Sequence, residues 1–113
     1  MITGWITQLR KGLLDFCVLS VLRRNEAHGY EIVQRLRGEP ALAVTESTVY
    51  PILARLRAEG LLKVREEASA AGPPRRCFSL TPAGRLRLAE MNAHWSLLSK
   101  SLDRLQQVPP KGA

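Results

Sequence analysis

Apolar residues recur at helical spacing in four stretches of the chain. The clearest lies within residues 45–62, where apolar side chains follow the i, i+3, i+4, i+7 pattern of one buried helix face: Val49, Ile52, Leu53 and Leu56. Proline is tolerated in the first turn of a helix, so Pro51 places the N-cap near Glu46–Thr48, with Ser47 or Thr48 as the capping side chain. Gly60 is the expected C′ residue that ends this helix.

Two helices precede it. Residues 9–24 form an apolar stretch whose hydrophobic side chains lie on two sides, so we expect one helix packed between its own domain and a partner subunit. After a break at residues 25–29, residues 30–37 predict a short second helix with Ile32, Val33 and Leu36 facing inward. Two helices joined by a short connector, the second with a polar and basic outer face, indicate a helix-turn-helix.

A hairpin follows the third helix. Apolar and polar residues alternate in 62–66 and 76–80, and residues 68–74 between them are small and turn-forming. The pair Arg75-Arg76 closes this loop. A basic hairpin directly after a helix-turn-helix is typical of a wing.

The last helix begins at Thr81-Pro82, with Thr81 as N-cap and Pro82 at the first helical position. Its apolar residues are spaced alternately by three and four, as in a heptad seam: Leu88, Met91, Trp95, Leu98, Leu102 and Leu105. We expect this seam to form a dimer interface; the alternative is that the helix folds back onto its own domain.

These elements predict a mainly α fold with a small β-hairpin, a winged helix-turn-helix with N-terminal and C-terminal dimerisation helices. The 113 residues divide into a DNA-binding domain at 1–80, a dimerisation helix at 81–108 and a tail at 109–113. The net charge is +7, and residues 47–87 carry eight basic against three acidic residues, or +5 of that total. This local excess indicates a polyanionic partner.

The chain lacks the residue patterns of an enzyme. His28 and His94 lie on different predicted elements with no matched nucleophile, and there is no glycine-rich phosphate loop. Cys17 and Cys77 form neither a disulfide framework nor a metal-ligand spacing, so we expect no metal and no cofactor. No stretch is long and apolar enough to span a bilayer and no signal-peptide pattern is present, so a reducing cytoplasm is expected.

Double-stranded DNA is therefore the predicted partner. The third helix and the hairpin offer hydroxyl, phenol and basic groups for phosphates and base edges. The predicted DNA-binding residues are Ser47, Thr48, Tyr50, Arg55, Lys63, Arg65, Arg75 and Arg76. RNA binding is disfavoured because aromatic side chains are few. A winged-helix module that binds proteins instead of DNA is the alternative, and it predicts no strong salt dependence of nucleic-acid binding.

Several motifs, in order and at matching spacing, resemble the PadR family of winged-helix transcriptional regulators. They are His28-Gly29-Tyr30-Glu31-Ile32, Ser47-Thr48-Val49-Tyr50-Pro51-Ile52-Leu53, Arg55-Leu56, Glu59-Gly60-Leu61-Leu62 and Ser79-Leu80-Thr81-Pro82-Ala83-Gly84-Arg85. The resemblance implies a dimeric repressor that binds a pseudo-palindromic promoter site, in the subfamily with a single C-terminal helix. It departs from the family at the wing, where Cys77 replaces an aromatic residue and the tip at 68–74 is longer and less charged.

The resemblance also implies a ligand site. Multidrug-sensing relatives place an indole at the dimer interface, at the position of Trp95, and flat aromatic ligands stack on it. The resemblance thus makes Trp95 a candidate site for a small aromatic effector; the alternative is packing within the seam, which is the more common role of a seam tryptophan.

Overall fold

A computed structural model describes residues 4–107, which form a mainly helical domain with a small antiparallel sheet, as predicted. Within that range the elements, in chain order, are α1 (Gly4–Lys11), α2 (Leu14–Val21), β1 (Ala27–His28), α3 (Gly29–Arg37), α4 (Glu46–Ala58), β2 (Leu62–Glu67), β3 (Arg75–Leu80) and α5 (Pro82–Gln107). The tail expected at 109–113, together with Val108, lies outside the described residues. No helix in residues 4–107 has the length and apolar character to cross a membrane.

The single N-terminal helix predicted for residues 9–24 is wrong, because the chain forms two helices that are separated at Gly12-Leu13. Glycine is a poor helix former, which weakens a continuous helix at this point. Arg10 favours the break, since its Nη1 donates to the carbonyl oxygen of Leu42 at 2.9 Å and fixes α1 beside the segment before α4. The predicted two-sided helix is therefore α2 alone, and α1 buries no residue.

The core lies between α2, α3, α4 and the inner face of the sheet. Its fully buried side chains come from the three helices, at the spacing that their sequences predict, and from Leu22, which follows α2. The helical ones are Val18 and Leu19; Ile32 and Val33; and Val49, Leu53 and Leu56. The sheet adds Leu62, Phe78 and Leu80. Close packing of these branched and aromatic side chains fixes the angle of α4 to the sheet.

The sheet has three strands in the order β1-β3-β2, all antiparallel. The hairpin was predicted, whereas β1 falls in a segment that we expected to be only a break. A two-residue strand has no detectable alternation, so its pairing with β3 comes from tertiary contact. In the register, His28 and Arg65 lie on either side of Cys77, and the three residues share the outer face.

The start of α5 is anchored to the end of α4. Thr81 is the N-cap, as predicted, because its Oγ1 accepts the Gly84 N–H at 3.0 Å and donates to the Gly60 carbonyl at 2.6 Å. Gly60 has a φ of +80°, the left-handed conformation expected of a C′ glycine. Gly84 lies so close to the Leu61 carbonyl oxygen that a Cβ would overlap it.

Candidate nucleic-acid interface

The helix α4 begins earlier than Pro51 suggested. Its N-cap is Thr45, and not Ser47 or Thr48. Thr45 Oγ1 forms hydrogen bonds with Ser47 Oγ at 2.8 Å and Thr48 Oγ1 at 3.3 Å, so the three hydroxyls form one cluster at the helix start. Pro51 consequently lies in the second turn, where the Ser47 carbonyl loses its usual helical donor. That carbonyl and the hydroxyl cluster give this end of α4 a polar, exposed surface.

A cleft of about 890 Å³ separates the outer face of α4 from the start of α3 and from β3. Tyr50 and Arg57 line it from α4, Tyr30 from α3, and Arg75 and Arg76 from β3. The structure thus brings three of the predicted DNA-binding residues together: Tyr50, Arg75 and Arg76. Tyr30 and Arg57 also line the cleft but were not predicted as DNA-binding residues. Arg57 lies seven residues after Tyr50, on the same face of the helix, and this spacing could have predicted its role.

Gly29 permits the close packing of Tyr50 at this cleft. A Cβ on Gly29 would lie 2.9 Å from Tyr50 Cε1, closer than carbon atoms approach each other. Partial burial, with the nearby charge of Glu46, raises the pKa of Tyr50. The phenol therefore stays protonated and can donate a hydrogen bond to a phosphate or base acceptor.

Five predicted DNA-binding residues do not line the cleft: Ser47 and Thr48 at the start of α4, and Arg55, Lys63 and Arg65. Arg55 Nη2 pairs with Asp15 at 2.6 Å and its Nη1 pairs with Glu59 at 3.2 Å. These two carboxylates raise the pKa of Arg55, and Asp15 has the larger effect. They also occupy N–H donors of the guanidinium group. Arg65 pairs with Glu26 and, at 3.0 Å, with Glu67 on the outer face of β2, where Lys63 is also exposed.

The arginines of the cleft differ from these. Within residues 4–107, Arg57, Arg75 and Arg76 form no ion pair, and all three are exposed. Their guanidinium groups are therefore available to an external anion. Ser47 and Thr48 are exposed at the α4 N-terminus, where helix-terminal N–H groups favour a phosphate.

The predicted dimer seam divides into two parts. Leu88 is 4% exposed within the core of its own subunit, so its assignment to a dimer interface was wrong. Met91 packs partly against that core. The remaining seam residues are exposed by 44–73%: Trp95, Leu98, Leu102 and Leu105. The first turns of α5 therefore complete the domain, and its second half presents an exposed apolar stripe.

Comparison with known proteins identifies the family. The model of the Transcriptional regulator PadR-like family matches residues 18–90. Transcriptional regulator Rv3488 of Mycobacterium tuberculosis is 44% identical over 66 residues, which cover 58% of this chain and 60% of that relative. The PadR-like transcriptional regulator of Bacillus cereus is 31% identical with a TM-score of 0.80, covering 90% of this chain and 99% of that one.

A third relative was solved with nucleic acid. The structure of Bacillus subtilis PadR in complex with operator DNA is 26% identical, with a TM-score of 0.64, over 70% of this chain and 46% of that one. The family model covers well over half of the chain, and the solved relatives share its fold. The chain therefore belongs to the PadR-like family, whose members are transcriptional regulators and not enzymes.

Proposed function

We propose that this protein is a sequence-specific DNA-binding regulator, a dimeric repressor that recognises a pseudo-palindromic promoter site. The observation that carries the proposal is the cleft between α4 and the wing, with three arginines that have no ion-pair partner in residues 4–107. The operator-bound structure of Bacillus subtilis PadR supports duplex DNA as the partner.

Within this interface the residues divide by role. Arg75 and Arg76 at the base of the wing contact phosphates, and Ser47 and Thr48 bind the backbone at the α4 N-terminus. Tyr50 and Arg57 lie on the exposed face of α4, which enters the major groove and reads base edges. Arg55 positions α4 against α2 through Asp15, and Arg65 braces the outer face of the sheet; Lys63 adds only long-range charge.

The test is the salt dependence of binding to a promoter fragment selected with the purified protein. Replacing Arg75 and Arg76 by alanine should weaken binding to all sequences and flatten the slope of log K against log salt by about 0.9 for every phosphate that the variant no longer neutralises. The matched control is Arg23→Ala with Arg24→Ala, which removes the same charge from the exposed turn after α2. If the two double variants have the same affinity and slope, the wing does not contact DNA.

The protein-binding alternative makes a different prediction. A winged-helix module that does not use DNA would select no promoter fragment and would show no steep salt dependence with either double variant.

We propose residues 1–80 as the DNA-binding unit and the helix from 81 to 108 as the dimerisation element, with the first turns of α5 shared between them. The second half of α5 exposes Trp95, Leu98, Leu102 and Leu105, and α1 exposes Trp5 and Leu9. An apolar stripe of this extent on a long helix is typical of a helix that packs against a partner.

We further propose a small planar aromatic effector that binds at Trp95 and releases DNA. A groove of about 380 Å³ beside Trp95 is lined by Leu13, Phe16, Val21 and Leu36, a size and character suited to a flat apolar molecule. An effector that prefers one spacing of the two wings shifts the population between DNA-binding and non-binding dimers. The size of the shift is set by the difference in the effector's affinity for these two forms.

Tryptophan fluorescence tests this second proposal. Trp5→Phe is made first so that emission reports Trp95, and planar dyes and phenolic acids are then titrated with and without operator DNA. Quenching together with weaker DNA binding supports the effector site. Absence of quenching at high micromolar concentration, or quenching with unchanged DNA affinity, shows that Trp95 only packs.

A further inference from the structure

Three side chains that can bind a metal ion converge on the outer face of the sheet, although the sequence spacing predicted no metal site. His28 from β1, Glu67 from β2 and Cys77 from β3 place their donor atoms within 4.8 Å of one another. His28 is the register neighbour of Cys77, and Glu67 lies two residues beyond the other register neighbour, Arg65, on the same face.

The His28 imidazole has one nitrogen occupied and one without a partner. Its Nδ1 lies 2.7 Å from Glu31 Oε1, which also accepts the His28 backbone N–H at 2.8 Å. Its Nε2 is buried and has no hydrogen-bond partner in the described part of the chain; the nearest carboxylate atom, Glu67 Oε1, is 3.7 Å away. A carboxylate on Nδ1 fixes the tautomer that leaves Nε2 as a lone-pair donor, as in metal sites with a carboxylate–histidine pair.

The two oxygens of Glu67 face different partners. Oε2 accepts from Arg65 at 3.0 Å and from the Cys77 thiol at 3.6 Å, while Oε1 faces His28. Arg65, which also binds Glu26 at 3.0 Å, therefore orients the carboxylate without occupying Oε1. The Arg65 hydrogen bond lowers the pKa of Glu67, so the carboxylate is ionised near neutral pH.

The donor types and their separations select the ion. Two ligands on a tetrahedral zinc ion at about 2.0–2.3 Å are themselves about 3.3–3.8 Å apart. The His28 Nε2–Glu67 Oε1 separation of 3.7 Å is a few tenths of an ångström longer than the about 3.3–3.5 Å expected for a nitrogen and an oxygen ligand. All three donor atoms lie within 4.8 Å of one another, so the side chains must move closer together to bind the ion. One imidazole, one thiolate and one carboxylate suit a borderline-soft divalent ion, and not magnesium or calcium.

We propose that His28, Glu67 and Cys77 form a binding site for zinc or a zinc-like divalent cation at the base of the wing. His28 Nε2, Glu67 Oε1 and Cys77 Sγ are the protein ligands, and water completes the tetrahedron on the exposed Glu67 side. Binding replaces the Cys77 S–H bond by a metal–sulfur bond and releases the proton to solvent. The ion would join the three strands at the point from which the wing projects.

Cobalt(II), titrated alone into the reduced, metal-free protein of 113 residues, tests the site without DNA. A tetrahedral site with a thiolate gives intense ligand-field bands and a sulfur-to-cobalt charge-transfer band, which zinc should remove by displacement. We expect about one equivalent per subunit. Cys77→Ser should abolish the charge-transfer band, whereas the matched control Cys17→Ser should retain it.

Two further variants keep the proposal testable if Cys77→Ser fails to fold. Glu67→Gln keeps the shape of the side chain and an amide oxygen that can accept hydrogen bonds. His28→Asn places a residue that is favoured at helix N-caps at the N-cap of α3. Each variant should weaken cobalt binding by about 100-fold or more, with circular dichroism unchanged. The control His94→Asn should bind as the native protein does. A spectrum without the charge-transfer band, a band that survives Cys77→Ser, or native affinity in Glu67→Gln and His28→Asn would each overturn the site.

Discussion

Replacing Leu98 and Leu102 by glutamate tests the role of the second half of α5. The two side chains are 44% and 50% exposed in the single subunit, so only about half of each remains to be covered by a partner. Full burial of a leucine side chain is worth about 1.5–3 kcal/mol, so covering the exposed half contributes roughly 0.7–1.5 kcal/mol for each residue.

A dimer contains both leucines twice, so the double variant loses roughly 3–6 kcal/mol of association free energy before any charge repulsion is counted. Since about 1.4 kcal/mol corresponds to a tenfold change, the dissociation constant should rise by about 10²- to 10⁴-fold. Light scattering at micromolar concentration should then give monomers. Operator binding should disappear with the dimer, because a single half-site supplies too few contacts.

The matched control is Ala93→Glu with Gln107→Glu, which adds the same charge to exposed positions on the opposite side of the heptad. It should remain dimeric. A Leu98→Glu, Leu102→Glu protein that dimerises as tightly as the control would show that α5 is not the seam. In that case the exposed leucines must serve another contact.

Three other substitutions probe local geometry. Gly84→Ala places a Cβ against the Leu61 carbonyl and should destabilise the fold by about 1–3 kcal/mol in urea unfolding; an unchanged midpoint would mean that α5 shifts freely. Gly29→Ala should displace the Tyr50 ring, so the loss in DNA-binding free energy should exceed the loss in free energy of unfolding. Equal losses in the two free energies would indicate a general packing defect. Thr81→Val removes the cap and should cost about 0.5–2 kcal/mol, measured by thermal melting, and a native melting temperature would contradict the capping role.

Local sequence signals predicted the main elements of this fold. The apolar stripe of α4, the Thr81 cap and the left-handed Gly60 each depend on residues within one or two turns, so their physical causes can be read along the chain. The alternation of β2 and β3 and the basic pair at the wing were equally local. Pro51 misled the assignment of the α4 start because the helix tolerates it in its second turn.

Only the tertiary structure determines which arginines are held in ion pairs and which can bind an external anion. Arg55 and Arg75 are equally basic in sequence, but Arg55 meets Asp15, which lies 40 residues away, while Arg75 has no ion-pair partner in the described residues. The proposed metal cluster has the same origin, since β1 is too short to show a pattern and joins His28 to Cys77 only through the sheet register. Helices and caps follow from neighbouring residues, whereas charge pairing and ligand sets depend on which distant segments the packed core brings together.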